Sequence, residues 1–129
     1  MNVLAIDYGK KKIGLAFAQT GLDLVLPAGQ ISGHDNRVKR EKIVEIIKEK
    51  KVDKLVVGLP LGLNGEENDN TRAVKEFVEK LKKLYDIAVE FVDERFTSRQ
   101  ADRMGKGVSR DEKAAMIILQ SYVFLQHHN

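Results

Sequence analysis

The hydrophobic positions along this chain fall into short continuous runs and longer stretches in which they recur every three or four residues. Short continuous runs are typical of strands covered on both faces, and the longer spacing is typical of helices with one buried side. The predicted strands lie at residues 3–6, 13–18, 24–31, 55–60 and 87–92. The predicted helices lie at residues 37–51, 74–85, 97–105 and 109–125.

The order of these elements, βββαβαβαα, predicts an α/β fold with a mixed five-stranded sheet and helices on both faces. Pro27 lies in the third predicted strand, which is expected at a sheet edge because proline cannot donate to a strand ladder. Ser109 and Glu112 have the spacing of a capping box, which predicts the start of the last helix. Neither a repeat nor a linker divides the 129 residues, so we predict a single domain over residues 1–129.

The composition excludes several classes of protein. The chain has no cysteine, so neither a disulfide framework nor a thiolate zinc site is available. No apolar run approaches the length needed to cross a bilayer, and the N-terminus lacks the pattern of a signal peptide, so we expect a cytoplasmic protein with no membrane partner. The net charge is only +3, so any nucleic-acid surface depends on where the basic residues lie.

Carboxylates occupy two predicted strand ends and one predicted helix start. Asp7 follows the first strand, Asp93 and Glu94 follow the last one, and Asp111 opens the last helix. Because the carboxyl ends of parallel strands meet at one edge of an α/β sheet, these acids are candidates for a shared site. Only one of Asp93 and Glu94 can easily point where Asp7 points, and the strand pattern leaves that choice open.

Carboxylates that converge would need a cation, because like charges at close range otherwise force one acid to keep its proton. Mg²⁺ prefers carboxylate oxygens and can activate a water for attack on a phosphodiester. Each acid also has a purely structural interpretation. Asp7 could cap the turn at Gly9, Asp111 could complement the helix dipole, and the residues after the last strand could be a solvated end.

Basic residues recur in the segment that follows Asp93 and Glu94. Arg95, Arg99 and Arg103 are spaced by four, so along a helix Arg99 and Arg103 share a face suited to phosphate contacts. The alternative interpretation is a solvated, salt-bridged helix in which Asp102 is one local partner.

Several short motifs, taken as a set, resemble the YqgF/RuvX family in order and spacing over nearly the whole chain. The motifs are Asp7-Tyr8-Gly9, Ile13-Gly14-Leu15-Ala16, Gly58-Leu59-Pro60, Asp93-Glu94-Arg95-Phe96-Thr97-Ser98, and Asp111 followed by Ala114-Ala115 and Ile118-Leu119-Gln120. The resemblance implies a ribonuclease H-like fold related to Holliday junction resolvases. It also implies a nuclease that matures the 5′ end of pre-16S rRNA.

The resemblance further implies roles for individual residues. Asp7, Glu94 and Asp111 map onto the family's acidic metal site, which selects Glu94 over Asp93 and implies Mg²⁺ or Mn²⁺ as the cofactor. The nucleic-acid-binding candidates are Lys12, Arg95, Arg99 and Arg103. Lys12 departs from the family pattern, in which arginine is common, and Gly62 and Asn64 depart from it in the loop after the fourth strand. A fourth carboxylate from that loop is therefore not expected.

We thus predict a metal-dependent nuclease in which Asp7 bridges the ions and Glu94 and Asp111 complete their coordination. The expected partner is structured RNA, with branched junction DNA as the alternative, and the chain could act as a monomer or a homodimer. A nucleic-acid-binding module without chemistry is a second class. An actin-like ATPase is a third, although such proteins generally need two domains of this kind.

Overall fold

The computed structural model describes residues 1–21, 24–94 and 107–128, and the side chains of residues 124–128 lie outside that description. The strands are β1 (Asn2–Asp7), β2 (Lys12–Gln19), β3 (Val25–Ser32), β4 (Lys54–Leu59) and β5 (Ala88–Asp93). The helices are α1 (Asn36–Glu49), α2 (Asp69–Leu84) and α3 (Arg110–His128). None of the helices within the described residues has the length and apolar character that crossing a membrane requires.

The five strands form one mixed sheet in the order β3-β2-β1-β4-β5. The first three strands pair antiparallel, whereas β4 runs parallel to both β1 and β5. The predicted mixed sheet is therefore confirmed, and the strand that contains Pro27 lies at its edge as predicted. The parallel strands β1, β4 and β5 all end at the same edge of the sheet.

Helices cover both faces of the sheet because successive strand residues point to opposite sides. On one face, β1 and β4 pack against α1 and α2 through Leu4, Ile6, Leu55, Val57, Ile43, Ile47, Phe77 and Leu81. On the other face, they pack against α3 through Val3, Ala5, Val56, Ala115, Ile118, Leu119 and Tyr122. Each large side chain buried in these layers contributes about 2 kcal/mol to folding.

The elements differ from the sequence prediction mainly at the start of α2. This helix begins at Asp69, before the first apolar position of the stripe, because a capping box defines its start. The Asn68 side chain accepts from the Thr71 N–H at 3.0 Å, and the Thr71 hydroxyl accepts from the Asn68 N–H at 3.1 Å. The predicted helix over residues 97–105 lies outside the described residues.

Candidate active site

The structure brings the three predicted acids to the edge where the parallel strands end. Asp7 is the last residue of β1, Glu94 directly follows β5, and Asp111 lies in the first turn of α3. Asp7 continues the alternation that points Val3 and Ala5 toward α3. The side chain of Asp7 therefore emerges on the face that carries the start of that helix.

Asp7 and Glu94 contact each other directly through a side-chain hydrogen bond. Burial raises the pKa of Asp7; the hydrogen bond with Glu94 opposes this rise, and the nearby charge of Asp111 adds to it. Burial, the hydrogen bond with Asp7 and the charges of Asp7 and Asp93 raise the pKa of Glu94 to about 8. Without a cation, a protonated Glu94 therefore donates to the Asp7 carboxylate at neutral pH.

Gly58 makes this contact possible, because β4 lies between the strands that carry the two acids. A Cβ atom at Gly58 would lie 2.3 Å from Oε1 of Glu94 and 2.5 Å from Cδ1 of Ile118. A side chain at this position would therefore occupy the space through which Glu94 reaches across β4 toward Asp7.

Gly14 has the matching role under α3. It pairs with Asp7 across the β1–β2 hairpin, and a Cβ atom there would lie 1.9 Å from the carbonyl oxygen of Asp111. The absence of a side chain lets the first turn of α3 rest directly on the backbone of β2. Both glycines occur in the motifs quoted above, but nothing in the sequence alone predicts that they position the acids.

The first turn of α3 is held by Glu112. The predicted capping box is confirmed: Ser109 N–H donates to Oε1 of Glu112 at 3.2 Å, and Glu112 N–H donates to the Ser109 hydroxyl at 3.1 Å. The other oxygen, Oε2, accepts from the N–H of Gly29 on β3 at 2.9 Å. Despite partial burial, these hydrogen bonds lower the pKa of Glu112. The helix start that carries Asp111 is thereby tied to the sheet.

The carboxylate pair fits a hard divalent cation. Two largely buried carboxylates in contact repel each other when both are ionised, and their oxygens are the ligands that Mg²⁺ and Mn²⁺ accept. Within the described residues, no three acidic or histidine side chains already form a group able to hold a metal ion. Asp111 is therefore a third charge near the pair rather than a member of a preformed cluster.

The predicted nucleic-acid-binding residues are described only in part. Lys12 is exposed at the start of β2, opposite Ser32 of β3. It lies beyond Gly14 at the end of the β1–β2 hairpin, so it belongs to the same edge of the sheet as Asp7. Arg95, Arg99 and Arg103 lie outside the described residues.

A cleft of about 370 Å³ opens beside Glu94, on the side of the sheet edge where α2 begins. The segment after β1 and the segment after β4 form its two walls, and the first turn of α2 closes it. Its lining comprises Tyr8, Gly9, Lys10, Pro60, Asn70, Ala73, Val74 and Glu94. A ligand in this cleft would lie next to one member of the carboxylate pair.

Comparisons with known proteins agree with the predicted family. A profile of the RuvX family, described as Holliday junction resolvase, matches residues 1–124. A "Putative pre-16S rRNA nuclease" of Endomicrobium trichonymphae is 37% identical over 136 residues, covering 97% of this chain and 96% of that protein. A relative of the same name from Dictyoglomus turgidum is 38% identical, covering 95% of this chain and 94% of its own length.

Solved structures with the same architecture include resolvases. Thermus thermophilus RuvC in complex with a Holliday junction substrate superposes with a TM-score of 0.71 at 12% identity, covering 100% of this chain and 97% of RuvC. A fowlpox virus resolvase in complex with Holliday junction DNA superposes with a TM-score of 0.55 at 10% identity, covering 98% of this chain and 96% of the resolvase. At these identities the likeness concerns the fold, and it confirms the ribonuclease H-like prediction. The family profile and the relatives establish that this chain belongs to the RuvX family.

Proposed function

We propose that this chain is a metal-dependent nuclease that hydrolyses phosphodiester bonds of pre-16S rRNA and processes its 5′ end during ribosome biogenesis. The observation that carries the proposal is the direct contact between two largely buried carboxylates, Asp7 and Glu94, at the open edge of the sheet. The curated relatives described above, which match this chain along nearly their whole length, carry the name of that activity.

In this proposal Asp7 and Glu94 hold the divalent cation, Mg²⁺ or Mn²⁺, and Asp111 completes the set of carboxylates. When bound, the cation would activate a water for attack on phosphorus and stabilise charge on the phosphate oxygens. Glu94 must lose its proton to act as a ligand, since only the carboxylate form binds a metal well. Lys12 and the arginines at 95, 99 and 103 would bind the phosphate backbone around the scissile bond.

Holliday junction DNA is the second candidate substrate, and the fold likeness to a junction resolvase favours it. A homodimer would suit a substrate with two-fold symmetry, whereas a monomer suffices for a single cut in RNA. The rRNA assignment takes precedence because relatives of 37% and 38% identity carry it, whereas RuvC is only 12% identical. An rRNA substrate and a cysteine-free composition both suit the cytoplasm.

The test is cleavage of end-labelled pre-16S rRNA and, separately, of a four-way DNA junction, each with Mg²⁺ or Mn²⁺. We expect the wild-type protein to cut the RNA and Asp7→Asn to lose at least about a hundredfold in rate. Asp86→Asn is the matched control, because it makes the same change at an exposed position between α2 and β5.

Cleavage of the junction alone would move the function to recombination. Binding of RNA with no cleavage of either substrate would favour a binding module. Full metal-dependent activity in Asp7→Asn would refute the proposed site.

A further inference from the structure

The cleft beside Glu94 has a neighbouring cavity between α1 and α2. The second cavity has a volume of about 140 Å³, and both cavities are lined by Tyr8 and Ala73. The two cavities are therefore neighbours that share these two lining residues, and the surface they form together is called the Tyr8 groove. It begins at Glu94, one member of the carboxylate pair, and extends along the sheet edge toward the face covered by α1 and α2.

The walls of the Tyr8 groove are held by the two buried polar or charged side chains of the described part of the chain, Lys39 and Thr71. Lys39 is only 1% exposed, and its ammonium donates to the carbonyl of Lys10 at 2.7 Å. The Thr71 hydroxyl donates to the carbonyl of Pro60 at 2.6 Å. Burial of such groups costs free energy that these contacts offset, so both segments beside the cleft are fixed to their helices.

The floor of the Tyr8 groove is similarly fixed. The centroids of the Tyr8 and Phe77 rings are 4.8 Å apart, and Nζ of Lys39 lies 5.7 Å from the centroid of the Tyr8 ring. The Tyr8 hydroxyl is 3.4 Å from Oδ1 of Asn36. A rigid aromatic floor with apolar neighbours such as Pro60 gives a base or sugar a surface that needs no reorganisation on binding.

The far end of the Tyr8 groove carries positive charge. Arg40 and Lys80 line the second cavity together with one carboxylate, Glu76. Nζ of Lys80 is 2.9 Å from Oε1 of Glu76, and the Arg40 guanidinium lies 5.4 Å from the centre of the Phe77 ring. Two cations facing one carboxylate leave an excess of positive charge where a phosphate could bind.

We propose that the Tyr8 groove binds an unpaired strand of the nucleic-acid substrate. One nucleotide occupies the cleft beside Glu94, and a neighbouring phosphate contacts Arg40 and Lys80. The cleft has the size of pockets for small organic ligands, about 300–1,000 Å³, and it is too small to admit a duplex. This inference rests on the proposed nuclease function and adds that the strand next to the scissile bond must be single-stranded.

The test measures binding rather than cleavage, so that the groove and the chemistry can fail separately. A fluorescein-labelled single-stranded RNA of about ten nucleotides, a length near known single-strand site sizes, is titrated in EDTA and followed by anisotropy. Ala73→Trp adds a large side chain at a residue that lines both cavities, and Arg40→Gln/Lys80→Gln removes the cations. The matched controls on α2 are Lys83→Trp and Lys82→Gln/Lys83→Gln, with thermal unfolding to verify folding.

We expect both groove variants to lose about tenfold or more in affinity for the RNA and both controls to change it less than about twofold. Equal binding by wild type and Ala73→Trp, or no binding of single-stranded RNA by the wild type, would overturn the inference. If cleavage depends on Asp7 while the groove variants bind normally, the nuclease function is supported and the proposed role of the Tyr8 groove is refuted. If the groove variants lose binding but the wild type never cleaves either substrate, the proposed role of the Tyr8 groove is supported and the nuclease function is refuted.

Discussion

At the scale of single residues, the proton held by Glu94 determines how the site responds to pH. The pKa of Glu94 is raised from 4.5 to about 8, so between these values the folded chain keeps a proton that the unfolded chain releases. This contribution to stability is complete below pH 4.5 and is lost as the pH rises toward 8. The raised pKa of Asp7 acts in the same direction.

Glu94→Gln should therefore stabilise the metal-free protein at alkaline pH. Glutamine keeps the hydrogen bond to Asp7 but has no proton to lose, so the variant should be more stable than wild type at pH 9 by about 1–2 kcal/mol. The difference should shrink as the pH falls to 5. Thermal unfolding in EDTA across this range measures it, with exposed Glu79→Gln as the control. A wild-type pH profile parallel to that of Glu94→Gln would contradict the assigned pKa.

At the scale of elements, two glycines determine how closely the acids approach. Gly58→Ala should force Glu94 or Ile118 to move, because the added Cβ would lie 2.3 Å from one and 2.5 Å from the other. We expect a loss of about tenfold or more in cleavage with a stability cost of about 1–3 kcal/mol, which is typical of overpacking. Metal-dependent cleavage and urea unfolding measure the two effects.

Gly62→Ala is the control for this prediction. The nearest contact of its added Cβ is Oδ1 of Asn64 at 3.3 Å, so little movement is needed. If Gly58→Ala cleaved as fast as Gly62→Ala, the path of Glu94 across β4 would not matter for activity.

The link between α3 and β3 gives a second prediction at this scale. Glu112→Ala removes hydrogen bonds to Gly29 and Ser109, so it should cost about 1–3 kcal/mol and lower activity by loosening the turn that carries Asp111. Glu112→Gln keeps an acceptor oxygen and should lose less. Because the pKa of Glu112 is lowered, the wild-type contribution should also disappear in acid. Urea unfolding of both variants at two pH values measures these effects, and equal stability of Glu112→Ala and wild type would refute the link.

At the scale of the whole molecule, the sequence predicts the sheet and helices well because the spacing of hydrophobic residues follows which positions of each element are buried. All five strands lie within a single residue of their predicted bounds, since β1 and β4 are apolar on both faces and the others are delimited by turn residues. The capping box of α3 is also predictable from the sequence, because its two partners, Ser109 and Glu112, are only three residues apart. The start of α2 could not be predicted from the apolar pattern, because the first turn of this helix is polar and precedes the apolar stripe.

The arrangement of the site could be predicted only in part, because it depends on contacts between distant segments. The sequence indicates which acids reach one edge, but not that Glu94 crosses β4 over Gly58. It also gives no sign of the Tyr8 groove, whose walls come from α1, α2 and two connecting segments. The assignment of Asp7, Glu94 and Asp111 to catalysis remains a prediction.

The central claim is that Asp7 and Glu94 together hold the cation that cleavage requires. The most direct measurement is the single-turnover rate of cleavage of 5′-labelled pre-16S rRNA against Mn²⁺ concentration, for wild type and Glu94→Gln at the same pH. We predict that Glu94→Gln needs far more Mn²⁺ and remains at least about a hundredfold slower at saturation. If Glu94→Gln cleaved at the wild-type rate with the same dependence on Mn²⁺, the carboxylate pair could not be the metal site.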